Sequence, residues 1–171
     1  ADFAASIGVR EVVQDQNQSF HYAKQAVVVS AKAAGLHALD NVFFKLVRVD
    51  TSDEDAEIIR NNFRTKNVGA ARMGMDGTWV IHPQQAKIAN EVYSPTDAEI
   101  EEDIRSIDYY HAQGGGALVF PETNEFLDEA TIKGKLATLA KGVQSGKVSK
   151  EYLADAVAKS EAVTGFSNID V

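Results

Sequence analysis

Apolar residues recur along this chain in short bursts, and the spacing inside each burst predicts an element. The opening stretch, Ala1 to Gly8, is small and apolar, and a polar loop follows at Gln14-Asp15-Gln16-Asn17-Gln18. From His21 to Ala34, the positions Ala23, Ala26, Val27 and Val29 predict the buried face of a helix that Gly35 stops. The triplet Val27-Val28-Val29 alone reads as strand, but its Ala and Lys neighbours favour helix. Leu36 to Phe44 is short, apolar and rich in strand formers, which predicts a buried strand. Asp50-Thr51-Ser52-Asp53 is a helix start: Thr51 or Ser52 can cap it, and Asp53, Glu54 and Asp55 suit the positive end of the helix dipole. Ile59 and Phe63 give that helix an apolar face, and Asn67-Val68-Gly69 is its expected end. Gly77 to His82 again reads as strand, and Pro83 opens a helix over Gln84 to Asn90.

Helix and strand thus alternate from Ala1 to Val92, which implies βα units around a parallel sheet. Strands buried on both faces carry near-continuous apolar runs, as these do. Ser94-Pro95 marks a boundary. Beyond it, Thr96 and Glu99 have the spacing of a capping box, and Ile100, Ile104, Ile107 and His111 fall on one helical stripe. Gly114-Gly115-Gly116 breaks that helix. Ala117 to Phe120 reads as a short strand, Pro121-Glu122-Thr123-Asn124 as a turn, and two further helices run over Asp128 to Lys141 and Ser149 to Val163. The expected fold class is α/β with a helical extension, and there is no repeat or low-complexity tract.

Composition narrows the function. The 171 residues carry 17 Lys+Arg against 25 Asp+Glu, a formal charge of −8, which argues against a general nucleic-acid binder. No apolar run approaches the ~18–20 residues of a membrane span, and the start carries no secretory signal. With no cysteine, disulfides, thiolate metal sites and a cysteine nucleophile are all excluded, which fits a reducing cytoplasm. Four histidines without cysteine make no zinc constellation at any usual spacing.

The most specific stretch is Met75-Asp76-Gly77-Thr78-Trp79-Val80-Ile81-His82-Pro83-Gln84-Gln85, followed by Ile88-Ala89-Asn90-Glu91-Val92-Tyr93-Ser94-Pro95. Together with Ala1-Asp2-Phe3-Ala4-Ala5-Ser6 and Phe20-His21-Tyr22-Ala23, it resembles the citrate lyase beta-subunit and malyl-CoA lyase family. The opening six residues are most similar to malyl-CoA lyases. The resemblance implies a TIM barrel with a C-terminal helical extension, and enzymes that use Mg²⁺ to make or break a carbon–carbon bond between an acyl-CoA and an oxo acid. A full barrel takes ~250 residues. Residues 1–95 then correspond to the last βα units, with the N-terminal half of the barrel missing, and residues 96–171 to the extension that contacts a neighbouring subunit. A chain that begins at Ala1 is accordingly expected to be a fragment.

Asp2, read alone, is a solvated acid. The resemblance makes it a Mg²⁺ ligand at the C-terminal end of a barrel strand, with Ala1 and Asp2 both at the substrate; a carboxylate oxygen suits Mg²⁺. The second metal carboxylate, a Glu, and the Arg that holds the oxo acid have no match in this chain. Ile81-His82-Pro83 ends a predicted strand, and in the family this turn lines the acyl-CoA site; the alternative is a histidine satisfying a neighbouring backbone group and a proline starting a helix. Asp128, in Glu125-Phe126-Leu127-Asp128-Glu129-Ala130, matches an Asp that serves the neighbouring subunit's site as catalytic acid/base, and it is equally well placed as a helix N-cap.

Weaker features have plainer readings. Gly114-Gly115-Gly116 lacks the spacing of a phosphate loop and reads as a flexible hinge. Asp40 ends a predicted strand at the barrel mouth, with Asn41 where relatives often carry Gly. His21 and Tyr22 match the family, and core packing accounts for them equally well. Lys133, Lys135 and Lys141 read as a solvated helix face. The expected protein is a Mg²⁺-dependent lyase acting on malyl-CoA, or on citramalyl-CoA or citryl-CoA, or a malyl-CoA thioesterase. It takes an acyl-CoA and a small oxo acid as ligands and assembles as a homo-oligomer, a trimer or hexamer, without nucleic acid or membrane. The rival reading is a non-catalytic half-barrel that needs a partner chain.

Overall fold

The computed structural model describes residues 2–8 and 20–164, and these fall into two compact units, 1–93 and 94–171. The described residues are mostly helical, with four short strands.

The first unit contains α1 (Asp2–Ser6), α2 (His21–Ala33), β1 (Leu39–Asp40), α3 (Asp53–Arg72), β2 (Gly77–Thr78) and α4 (Pro83–Tyr93). β1 and β2 pair in parallel, Leu39 opposite Gly77 and Asp40 opposite Thr78, so α3 is the crossover that a parallel pair requires. α3 is capped by Ser52, whose hydroxyl accepts from Asp55 N–H at 3.1 Å, with Asp53, Glu54 and Asp55 in the first turn. Two small cores hold the unit. Val28, Ala38, Ala70 and Met75 form one, and Phe43, Phe63, Ile88 and Ala89 the other. Asp76 fixes the approach to β1 and β2: its carboxylate accepts from Ala38 N–H at 2.9 Å and from Lys32 Nζ at 2.6 Å.

Three sequence expectations change here. α2 buries Val28 and leaves Val27 and Val29 exposed, so its inward face lies one residue away from the predicted one. α3 runs on past Asn67-Val68-Gly69 to Arg72. Asn67 is buried in mid-helix, where its Nδ2 donates to Phe63 C=O at 2.8 Å and its Oδ1 accepts from Tyr93 O–H at 3.1 Å. Its polar side chain is spent on tying α3 to α4 rather than on ending a helix. The strands expected over Leu36–Phe44 and Gly77–His82 shrink to two residues each, because ladder length is set by the partner strand rather than by the strand's own residues.

The second unit contains α5 (Asp97–Ala112), β3 (Leu118–Phe120), β4 (Glu125–Leu127), α6 (Glu129–Gln144) and α7 (Lys150–Thr164). α5 begins with a complete capping box, Thr96 with Glu99, as its spacing predicts. β3 and β4 form an antiparallel hairpin, Leu118 opposite Leu127 and Phe120 opposite Glu125. One core serves the unit: Ile100, Ile107, Tyr110, Phe120, Leu127, Ile132, Leu136, Leu139 and Ala156 are all buried. The triple glycine, read as a hinge, forms the turn that follows α5. All three residues have positive φ, at 78°, 79° and 94°, a region glycine enters at little cost. A side chain at Gly115 would meet Val163 at 2.0 Å, so the turn also lets α7 approach. Lys135, expected on a solvated face, is buried: its Nζ lies 3.0 Å from Asp103 and 2.9 Å from Glu125, joining α6 to α5 and β4. Among the described residues, no helix is long and apolar enough to cross a membrane.

Candidate active site

The C-terminal ends of parallel strands are where α/β sheets collect their ligands. At the ends of β1 and β2 the molecule places its most buried charges. Asp40 is 2% exposed and ion-paired twice, to Lys24 of α2 at 2.8 Å and to Lys66 of α3 at 2.9 Å. Lys66, its side chain 1% exposed, also donates to Asn41 C=O at 2.6 Å, an oxygen that accepts from the Thr78 hydroxyl at 3.2 Å as well. Burial pushes the Asp40 carboxyl up, but the hydrogen bond from Lys24 and the charge of Lys66 outweigh it, so the group rests below its ordinary value. Exchanging such a pair for apolar residues is often neutral or stabilising by about 1–4 kcal/mol, whereas removing one partner costs about 3–5 kcal/mol. The cluster is therefore better understood as fixing which groups meet at the strand ends than as adding stability.

From β2 the chain leaves through Trp79, Val80 and Ile81, all exposed, with Trp79 at 62% and Ile81 at 52%. Trp79 N–H donates to Asp40 C=O at 3.1 Å, which carries the strand pairing one step further. The turn Ile81-His82-Pro83 then starts α4, with Pro83 as its first residue. His82 Nδ1 accepts from Gln84 N–H at 3.2 Å, and His82 C=O accepts from Gln85 and Ala86. The ring thus satisfies a free N–H of the first helical turn, the plainer of its two sequence readings, while Ile81 presents its side chain outward. Lys45, Ile59, Arg60, Phe63, His82 and Gln85 are among the residues that line a cleft beside this turn.

Sequence reasoning missed Gln85. It is 6% exposed, its Oε1 accepts from Ile81 N–H at 3.0 Å, and its Nε2 donates to Phe43 C=O at 3.0 Å. The available signal was a second polar residue, at a core-facing position of a helix whose neighbours Ile88 and Ala89 are buried.

The remaining candidates stand apart. Ala1 lies outside the described residues, as does the side chain of Asp2; the backbone of Asp2 begins α1. Among the described residues, no three His, Asp or Glu side chains gather in a way that could hold a metal ion. Asp128 is in the second unit, where it caps α6: its Oδ1 accepts from Thr131 N–H at 2.9 Å, and Thr131 Oγ1 reciprocates to Asp128 N–H at 2.7 Å.

No protein-family model matches the chain. It is 30% identical over 151 residues to the L-malyl-CoA/beta-methylmalyl-CoA lyase of Rhodobacter capsulatus, an alignment that covers 78% of this chain and 43% of that protein. It is 39% identical over 122 residues to the mitochondrial citramalyl-CoA lyase of Mus musculus, covering 70% of this chain and 32% of that one. The chain therefore spans less than half the length of these relatives. The fold is similar to a citrate lyase from Burkholderia xenovorans LB400, with a TM-score of 0.66 and 16% identity over 89% of this chain and 45% of that one. It is also similar to the protein CitE of Mycobacterium tuberculosis in complex with magnesium, acetoacetate and coenzyme A, with a TM-score of 0.60 and 20% identity over 81% of this chain and 48% of that one. Over the motif at Met75–Pro95 and most of its length, the chain is thus similar to malyl-CoA lyases and citramalyl-CoA lyases, and its fold is similar to that of citrate lyase beta-subunit-like proteins.

Proposed function

We propose that the chain is the C-terminal part of a Mg²⁺-dependent carbon–carbon lyase that cleaves malyl-CoA to acetyl-CoA and glyoxylate. The observation that carries this reading is the alignment to malyl-CoA lyases over most of the chain. The motif turn Ile81-His82-Pro83 supports it, standing at the exit of one of two parallel strands. In this reading residues 1–95 are the last βα units of a TIM barrel and residues 96–171 an extension that reaches a neighbouring subunit of a trimer or hexamer. The acyl-CoA lies against Ile81, His82 and Pro83. Ala1 and Asp2 border the oxo acid, and the carboxylate of Asp2 would be one ligand of Mg²⁺, which would supply Lewis-acid chemistry there. Asp128 of a neighbouring copy moves the proton of the acyl-CoA methyl. The cysteine-free composition suits a reducing cytoplasm. The similarity to a citramalyl-CoA lyase favours citramalyl-CoA as the second candidate substrate.

No residue in these 171 matches the second metal carboxylate or the oxo-acid arginine. The chain by itself is accordingly inactive in this reading, and activity needs the polypeptide that supplies them. The test assays glyoxylate release from malyl-CoA, with Mg²⁺ or with chelator, by the natural protein from its source and by the 171-residue chain alone. Mg²⁺-dependent release by the natural protein, its loss by about 10²-fold or more in an Asp2→Asn variant, and no release by the short chain are the expected results. Full activity of Asp2→Asn would remove Asp2 from the mechanism, and turnover by the short chain would overturn its incompleteness.

A further inference from the structure

Gln85 joins the exits of the two parallel strands through a single side chain. Ile81 lies three residues beyond β2 and Phe43 three residues beyond β1. An N–H can only donate and a carbonyl can only accept, so these partners dictate which end of the amide faces which strand. Gln85 is buried and lines the same cleft as Phe63 and Ile88, a place where a leucine or methionine needs no hydrogen-bond partners. A buried amide without both hydrogen bonds is costly, so a polar residue here is useful chiefly for what it holds.

We propose that Gln85 is a positioning residue for the lyase reaction: a buried amide strut that sets the Ile81-His82-Pro83 turn at a fixed distance from the exit of β1. The role rests on the lyase reading given above. Lys66 provides the neighbouring brace, through Asn41 C=O and Asp40. Because the strut occupies Ile81 N–H, the turn meets its ligand through the Ile81 side chain and the outer face of His82. Small displacements of a positioning element are enough to lower turnover by factors of ten or more.

The test is Gln85→Glu in the natural protein, followed as kcat/KM against pH. The ionised carboxylate still accepts from Ile81 N–H but offers no hydrogen to Phe43 C=O; protonation restores the donor. Burial raises the pKa of the introduced group into the range of assay. Relative to wild type, kcat/KM is expected about tenfold lower at pH 8 and within about twofold at pH 6, with the protein folded at both by circular dichroism. A profile parallel to wild type overturns the role while leaving the lyase reading standing. Absence of turnover by the wild-type protein overturns the reading and this role together. Should Gln85→Glu fail to fold, Gln85→Met in the 171-residue chain reads the same strut without catalysis. Hydrogen exchange at the Ile81 amide is expected to rise at least about tenfold while that of Ala89, within α4, stays unchanged. Unchanged exchange at Ile81 overturns the proposal.

Discussion

The carboxyl of Asp128 is held below the usual carboxylate range chiefly by Thr131 N–H, which acts against desolvation, with smaller help from the Thr131 hydroxyl and Ala130 N–H. A depressed carboxyl contributes stability above its unfolded value, and that contribution is lost as pH falls through the folded one, on the acid side of about pH 4. An ionised cap is a poor proton donor near neutrality. The catalytic role proposed for Asp128 therefore requires a neighbouring subunit to bury it further and raise it again. Asn caps helices about as well as Asp but cannot exchange a proton. Asp128→Asn is thus expected to leave the thermal midpoint close to that of wild type while kcat of the natural protein falls by about 10²–10⁴; an unchanged kcat assigns Asp128 to capping alone. Residues with a local spacing signature were legible in the sequence. Thr96 and Glu99 form their box, and Asp128 and Pro83 begin their helices. Gln85 and Lys135 were not legible, because polar residues at core-facing positions reveal themselves only through partners far along the chain, Phe43 for one and Asp103 for the other.

At the scale of elements, α5 and α7 meet through polar contacts as well as core. His111 Nε2 lies 2.8 Å from the hydroxyl of Ser160, which is fully buried, and Tyr152 O–H donates to Asp108 at 3.1 Å. Burial lowers the pKa of His111; Asp108 and Asp155 oppose that shift and Lys159 adds to it. For a base lowered in the folded state, the neutral form is favoured. The contribution to stability is whole above the unfolded value near 6.5 and is lost as pH falls from there through the folded value. The thermal midpoint is expected to drop between pH 7 and pH 5, and the drop to shrink in His111→Asn, as followed by calorimetry. A drop of equal size in the variant would assign it to other groups. Helix starts at Ser52, Pro83, Thr96 and Asp128 were legible because caps are local, whereas the inward face of α2 and the end of α3 were not. Strands were over-extended, and β4 was missed, because Glu125-Phe126-Leu127 carries too few residues for a period-2 signal.

At the scale of the molecule, the two units are unequally provided. The second encloses one continuous core within residues 94–171, whereas the first divides its apolar residues between two small clusters around a parallel pair of two-residue strands. Two strands with few buried residues are marginal in water, while helices packed on a hairpin are not. Residues 94–171 expressed alone are expected to melt cooperatively with helical circular dichroism, and residues 1–93 to show a broad, weak transition. A sharp transition of the first unit alone would overturn this ranking. The alternation of helix and strand up to Val92 made the parallel pairing of β1 and β2 across a helix legible. What the sequence withheld was how few residues each strand contributes.

The parallel pairing of Leu39 with Gly77 also bears on the order in which the chain acquires its structure. The first unit is made before the second on the ribosome, yet the ladder among its described residues closes across the whole of α3. The β3–β4 hairpin, by contrast, closes across a turn of four residues, Pro121-Glu122-Thr123-Asn124. Closing a long loop delays contact formation more than closing a short one, and parallel pairs are intrinsically slow. The β3–β4 hairpin is then expected to close before the β1–β2 pair, although it is synthesised later. During that interval the exposed Leu36, Leu39 and Phe44 stand beside an unformed strand pair. That interval, rather than the finished fold, is when the nascent chain most needs a chaperone.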